Sequence, residues 1–167
     1  MRFCSFCGKA LALKTLDDGS EEKYCGACDH VFFETPSPAV LVLVTNSDSV
    51  LLARGVGWKH PYWGLISGHI RTGSTAEETA VREVREEVGL EVSNLKLVRT
   101  YAARDRRLLM LAFRAEAEKT SITKSQELED AQWFSLSEPL PMRSESMSAC
   151  FIKHVFENVA YRIKKLT

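Results

Sequence analysis

The sequence predicts an α+β protein in two parts, a short cysteine-punctuated segment over residues 1–35 and a larger sheet-and-helix domain over residues 36–167. Three observations carry this. Four of the five cysteines, Cys4, Cys7, Cys25 and Cys28, fall near the start of the chain. From residue 39 the composition turns to β-branched runs of strand length. Two later stretches, 75–88 and 145–164, carry apolar residues at the three-to-four spacing of a helix.

Composition narrows the class further. A chain of 167 residues that is 45% hydrophobic can bury a core, which excludes intrinsic disorder. Twenty-two Lys and Arg against twenty-two Asp and Glu give zero net charge, so a general phosphate-seeking surface is not expected. The longest apolar run, residues 39–44, has six members, against the roughly 18 needed to cross a bilayer. Met1-Arg2-Phe3-Cys4 opens no signal-peptide core. The expectation is a soluble cytoplasmic protein without a membrane or nucleic-acid partner.

Cys4-x2-Cys7 and Cys25-x2-Cys28 are separated by seventeen residues, the spacing of a four-thiolate zinc site. Each pair can present two sulfurs to one tetrahedral ion from a tight knuckle, with Gly8 and Gly26 supplying backbone freedom. Two disulfides are the alternative, which a reducing compartment disfavours. Residues 1–30 hold too few large apolar side chains to fold without a staple, and structural zinc contributes roughly 10–16 kcal/mol in small modules at neutral pH. Four Cys ligands leave no open position, so the expected Zn²⁺ is structural. Cys150, alone in a helical pattern, reads as a small buried apolar residue.

Thr35-Pro36-Ser37-Pro38 is a stiff connector. Residues 39–45 read as a strand buried on both faces, Asn46-Ser47-Asp48 as a turn and 49–54 as its hairpin partner. Gly55 to Pro61 reads as a loop, 62–67 as a short strand, 92–103 and 107–115 as strands around a turn at Arg104-Asp105-Arg106, and 131–135 as a further strand. The second helix, 145–164, aligns Met147, Phe151, Ile152, Val155, Phe156, Val159 and Ile163, with Lys164 and Lys165 at its negative end.

The helix over 75–88 carries the chemistry. Thr75 and Glu78 form a capping-box pattern, and Gly89 stands where a left-handed residue ends a helix. Ala80, Val81, Val84 and Val88 share one face, and Glu83, Glu86 and Glu87 fall on an adjoining one. Arg82 can reach Glu86, but Glu83 and Glu87 are an unfavourable i,i+4 pair. A hard divalent cation would relieve that repulsion; a solvated acidic stripe is the alternative.

Residues 68–90 resemble the Nudix box: Gly, five residues, Glu, seven residues, Arg-Glu, an apolar residue, any residue, Glu-Glu, any residue, Gly, an apolar residue. Gly68, Arg82, Glu83, Val84, Glu86, Glu87, Gly89 and Leu90 match in register, eight of the nine specified positions, and Ser74 stands where the pattern has its first Glu. The resemblance implies an N-terminal zinc ribbon followed by a Nudix α/β/α sandwich with a mixed sheet. With the ribbon and the later segment Glu127-Leu128-Glu129-Asp130-Ala131-Gln132-Trp133-Phe134, the chain resembles the NADH pyrophosphatase branch, in which Glu127, or Glu129 in its place, adds a metal carboxylate. The Trp-Pro-Phe-Pro segment that the branch associates with reduced nicotinamide substrates has no counterpart in residues 98–110.

The resemblance implies hydrolysis of the pyrophosphate bond in a nucleoside diphosphate linked to another moiety, NAD(H) or ADP-ribose among them, by a metal-dependent pyrophosphohydrolase. Glu83, Glu86, Glu87, Glu127 and the Gly68 carbonyl are the expected Mg²⁺ or Mn²⁺ ligands. Arg82, Glu83, Glu86 and Glu87 are the catalytic set, Arg82 by orienting the glutamates. Tyr62, Trp63, His69, Tyr101 and Arg104 are the candidate substrate contacts, with Arg99, Arg106 and Arg107 as further guanidinium candidates for phosphate. A homodimer is expected from the same resemblance. The competing reading, from Ser74, is a catalytically weak or dead nucleotide sensor with a zinc-ribbon binding module.

Overall fold

Only Cys4 and Cys25 are buried among residues 1–36, so the first part of the molecule is organised around sulfur rather than around an apolar core. The computed structural model describes residues 1–59, 62–103 and 107–156 and divides the chain into two compact parts, Met1–Pro36 and Ser37–Thr167. In the first part β1 (Ala12–Thr15), β2 (Glu21–Cys25) and β3 (His30–Phe32) form an antiparallel sheet in that order. Asp18 fixes the β1–β2 turn by accepting from the Ser20 N–H and hydroxyl at 2.9 and 2.7 Å. Phe3, Phe6 and Leu13 lie more than half exposed. Three short strands with so little apolar burial need a staple.

The second part is a mixed sheet of six strands ordered β7-β8-β4-β5-β9, with β6 beside β4. The strands are β4 (Ser37–Asn46), β5 (Ser49–Gly55), β6 (Ile66–His69), β7 (Ser93–Ala103), β8 (Leu108–Glu116) and β9 (Leu128–Ser135). β4 runs parallel to β8 from Ser37↔Leu108 to Thr45↔Glu116 and antiparallel to β6 from Ala39↔His69 to Val42↔Ile66. The β4–β5 hairpin turns at Ser47, whose φ is +49°. β7 forms an outer edge, and its ladder with β8 is broken by irregularities between Ser93 and Lys96 and between Leu97 and Arg99.

Period-two alternation along β4 builds both cores. Val40, Val42 and Val44 pack with Ala80, Val84 and Val88 of α1 (Ala76–Val88). Ala39, Leu41 and Leu43 pack with Ala149, Phe151 and Ile152 of α2 (Met147–Val155). The α/β/α sandwich implied by the sequence is the observed architecture.

Several expectations change. The strand expected over 62–67 begins at Ile66, because Gly64 exchanges both backbone hydrogen bonds with Ala53 of β5 and Trp63 N–H donates to Pro141. On α1 the buried face is Thr79, Ala80, Val84, Glu87 and Val88; Val81 turns away from it. Cys150 is exposed, since α2 buries its neighbours Ala149 and Phe151 instead. The helix expected over 145–164 stops at Val155, where Phe156 turns extended and its N–H donates to Ile152 O; the turn at 104–106 and Val159, Ile163, Lys164 and Lys165 lie outside the described residues.

α1 is closed at both ends as its sequence requires. Thr75 Oγ1 accepts from Glu78 N–H at 3.1 Å, Glu78 Oε2 accepts from Thr75 N–H at 2.9 Å, and Gly89 ends the helix at φ 71°. Thr75→Ala is expected to cost about 1 kcal/mol and to lower Tm by about 2–4 °C. Thr75→Ser should retain most of that stability, and calorimetry on both variants checks it.

Candidate functional site

The acidic site is assembled where β6 leads into α1. Ser74 N–H donates to Arg71 O at 3.1 Å, closing a turn in which Gly73 takes φ +86°, and the Thr75 cap then fixes where the helix starts. From that start the 100° step places Glu83 and Glu87 towards the sheet and leaves Glu86 half exposed. A Cβ at Gly68 would overlap the Glu83 carboxyl, so glycine at this position lets the helix carboxylate reach the β6 backbone.

Arg82 organises two of the acids. Its Nη1 hydrogen-bonds Glu86 Oε2 at 2.7 Å, and its Nη2 lies 2.7 Å from Glu83 Oε1, an ion pair by distance without hydrogen-bond alignment. Burial raises the Glu83 pKa, partly offset by the adjacent guanidinium. Glu87 has no such partner. The residue as a whole is 9% exposed, and no described side chain hydrogen-bonds or ion-pairs with it. Burial first, then the charges of Glu83, Glu127 and Glu86, push it up to about 8.

Glu127 arrives by a route that the sequence did not reveal. Thr123 N–H donates to Val88 O at 3.0 Å and Ser125 N–H to Glu87 O at 2.9 Å, so the chain before β9 satisfies open carbonyls at the end of α1. This lays Glu127 beside Glu87. Arg71, also missed, lies close enough to lower the Glu83 pKa. Backbone bonds of this kind have no residue signature, and Arg71 falls at an unspecified position of the box. Glu129, the fallback ligand, is held instead by Arg54 Nε at 3.1 Å.

The fit to a hard cation rests on Glu87: a buried, uncompensated carboxylate with three more beside it is relieved by a divalent ion. Among the described residues, the four cysteines are the group whose ligand atoms all lie within 4.8 Å; the glutamates are spread more widely, with Arg82 drawing on Glu83 and Glu86.

The cysteines fit a tetrahedral ion. Cys7 Sγ and Cys25 Sγ are 3.6 Å apart and Cys4 Sγ and Cys28 Sγ 3.9 Å, whereas a zinc ion with Zn–S of about 2.3 Å has sulfur–sulfur edges of about 3.8 Å. Phe6 N–H points to Cys4 Sγ at 3.4 Å, and Gly8, at φ +73°, donates to Cys4 O. Burial opposes ionisation of Cys25, yet the N–H groups of Cys28 and Ala27 and the thiols of Cys7 and Cys4 draw it down to about 7. The Cys7 thiol, then burial, hold Cys28 up at about 12. A thiolate forms readily in this cluster, the state that a metal takes.

The aromatic candidates separate from the acidic site. Trp63 is a core residue, its ring edge-on to Phe134 at 4.9 Å, and it belongs to the α2 side of the sheet. Tyr101 packs on the same side against Phe151 at 6.2 Å, with its hydroxyl buried and without a hydrogen bond. Neither joins the glutamates, because both face α2 and the acids ride on α1. Tyr62 is half-buried under Arg143, and His69 is exposed beside Gly68. Arg99 is exposed and contacts His154 Nδ1 at 3.2 Å. Arg104 and Arg106 lie outside the described residues.

A NUDIX domain model matches residues 35–155. The chain belongs to the NUDIX family. It is similar to NAD-capped RNA hydrolase NudC of Pseudomonas putida (strain GB-1), 38% identical over 143 residues that are 84% of this chain and 51% of that protein. NudC of Pseudomonas fluorescens (strain Pf0-1) is 34% identical, covering 93% of this chain and 55% of its own. The chain thus spans about half the length of these relatives. The crystal structure of a NUDIX hydrolase from Nitrosomonas europaea superposes with a TM-score of 0.65 at 21% identity, covering 81% of this chain and 78% of that one. That of UDP-X diphosphatase gives 0.59 at 21%, covering 75% and 64%, which supports the fold.

In this NUDIX domain the box position held by Ser74 is not refilled by Glu78, whose carboxyl closes the helix cap. The acidic cluster gives a pH signature. Glu87 is raised above its unfolded value, so it contributes most stability below about pH 4.5 and loses it as pH rises towards about 8. Metal-free protein is expected to lose stability between these limits, and Glu87→Gln to flatten the fall, so that the variant becomes the more stable of the two at pH 8; thermal unfolding in a chelator at pH 5, 6.5 and 8 checks this.

Proposed function

We propose that this chain hydrolyses the pyrophosphate bond of a nucleoside diphosphate linked to a second moiety, with NAD-type dinucleotides, free or as the cap of an RNA, as the substrate class. The observation that carries the reading is Glu87, buried without a partner beside Glu83, Glu86 and Glu127 on the box helix. The similarity to NAD-capped RNA hydrolases supports the NAD-linked class.

Glu83, Glu86, Glu87 and Glu127, with the Gly68 carbonyl, would hold Mg²⁺ or Mn²⁺. A divalent ion so bound supplies a water of lowered pKa and neutralises charge on the phosphate oxygens. Arg82 holds Glu83 and Glu86 in fixed orientation through its two 2.7 Å contacts. One glutamate of the cluster would take the proton of the attacking water. The cap at Thr75 and Glu78 keeps the start of α1 in place without the box glutamate at position 74.

Incubation with NAD⁺, NADH, ADP-ribose and an NAD-capped RNA oligonucleotide in Mg²⁺ or Mn²⁺ is expected to release a mononucleotide from at least one. Glu86→Gln with Glu87→Gln should lower turnover by about 100-fold or more, the weight of several kcal/mol of charge stabilisation, while the fold persists. Full turnover in that double variant overturns the mechanism.

We assign Zn²⁺ to the four cysteines as a structural ion. Elemental analysis should find about one zinc per chain, and Cys25→Ser should lose it together with the ordered ribbon, leaving the NUDIX domain folded. A zinc-free ribbon that stays folded under reducing conditions is the contrary result.

A further inference from the structure

Trp58 has no part in the site described so far, yet the chain is built to seat it. Gly55, Val56, Gly57 and Trp58 form a turn in which Trp58 N–H donates to Gly55 O at 3.1 Å and Gly57 takes φ +79°. The turn folds the indole back over its own start. Trp58 Nε1, Cε2 and Cδ1 lie 2.6 to 3.1 Å from where a Cβ of Gly55 would sit, and Cη2 and Cζ3 lie 3.0 Å from that of Gly64. The pyrrole ring thus rests on one glycine and the benzo ring on another, and a side chain at either would unseat it.

Seated this way, the indole remains 46% exposed. Trp63 and Tyr101 are packed against Phe134 and Phe151 in the core on the α2 side, so neither offers a comparable open surface. The turn is also tied to the acidic site. Val56 N–H donates to Glu127 O at 2.9 Å, and Glu127 is one of the charges acting on Glu87. Trp58 is two residues from that bond, at most about 8 Å of chain. A flat aromatic surface on a glycine seat, in a turn hydrogen-bonded to the backbone of a residue of the acidic cluster, has the form of a stacking platform for a ring attached to a bound phosphate.

We infer that Trp58 is the platform on which the planar base of the nucleotide stacks, with Gly55 and Gly64 as its seat. The inference rests on the pyrophosphohydrolase reading and gives it a specificity-determining residue. Stacking acts equally on bound substrate and transition state, so it shows in KM rather than in kcat.

The test follows binding and turnover separately, using AMP and ribose 5-phosphate as probes and NAD⁺ as substrate. AMP is expected to quench tryptophan emission saturably and ribose 5-phosphate, which lacks the base, to leave it unchanged. Trp58→Ala should abolish the quench and raise KM for NAD⁺ about tenfold, with kcat within about twofold. Trp58→Phe should lose the quench yet keep AMP affinity by calorimetry within about threefold, which separates stacking from a folding defect. A Trp58→Ala variant with the AMP affinity and KM of the parent overturns the inference and leaves the hydrolase reading intact. A chain that cleaves nothing in the panel, yet binds AMP through Trp58, keeps the inference and loses that reading.

Discussion

The box helix is registered on the sheet through the approach of Glu83 to Gly68. The carboxyl occupies the space that any side chain at 68 would fill, and Gly68 is itself fixed opposite Val40 in the β4–β6 ladder. The centre of the sheet thereby positions a charged group on a helix, and the rest of the site follows from the helical step. Glu87 falls one turn on, facing inward, and the end of α1 then offers carbonyls that Thr123 and Ser125 satisfy. Displacing the helix by one residue would turn Glu83 away from the glycine and set a different side chain over β6. Packing alone would resist such a shift weakly, because Ala80, Val84 and Val88 are small and alike.

Both parts of the molecule are organised around groups that seek a cation. In the ribbon the only buried residues are two cysteines, and Phe3, Phe6, Leu13 and Phe33 lie open. In the NUDIX domain the core is complete on both faces of the sheet, and Glu87 is a buried acidic residue without a described partner. The same chemistry therefore holds different ranks. Four clustered thiols stand where a core would be in the first part, whereas the acidic cluster lies beside a core that is already built.

Much of this was legible in the sequence. The uniformly apolar run of β4, buried on both faces, the capping box, Gly89 and the cysteine spacing are local patterns whose physical demands leave little choice, and each appears where its residues place it. The box supplied the glutamates and Gly68. What the sequence withheld was relational. Trp63 and Tyr101 read as stacking surfaces because an aromatic residue looks alike whether it faces a ligand or a core, and only the sheet decides that both face α2. The start of β6 moved because Gly64 found a partner in β5, a choice that strand propensity does not contain. Val81 and Cys150 were misplaced by a fraction of a helical turn, which periodicity resolves poorly where apolar residues surround the position. Glu127 was found through the resemblance; the backbone bonds that bring it to Glu87 leave no mark on residue type.

The outer strand β7 carries a consequence for life in a crowded solution. Its eleven residues border the sheet, with Leu97 and Val98 showing to solvent. A flat border of that length is a template on which another extended chain can add itself without end. Here the ladder with β8 slips twice, between Ser93 and Lys96 and between Leu97 and Arg99, and irregularities of this kind increase the local twist of a strand. An edge with two such irregularities is a poorer template for regular strand addition than an unbroken one.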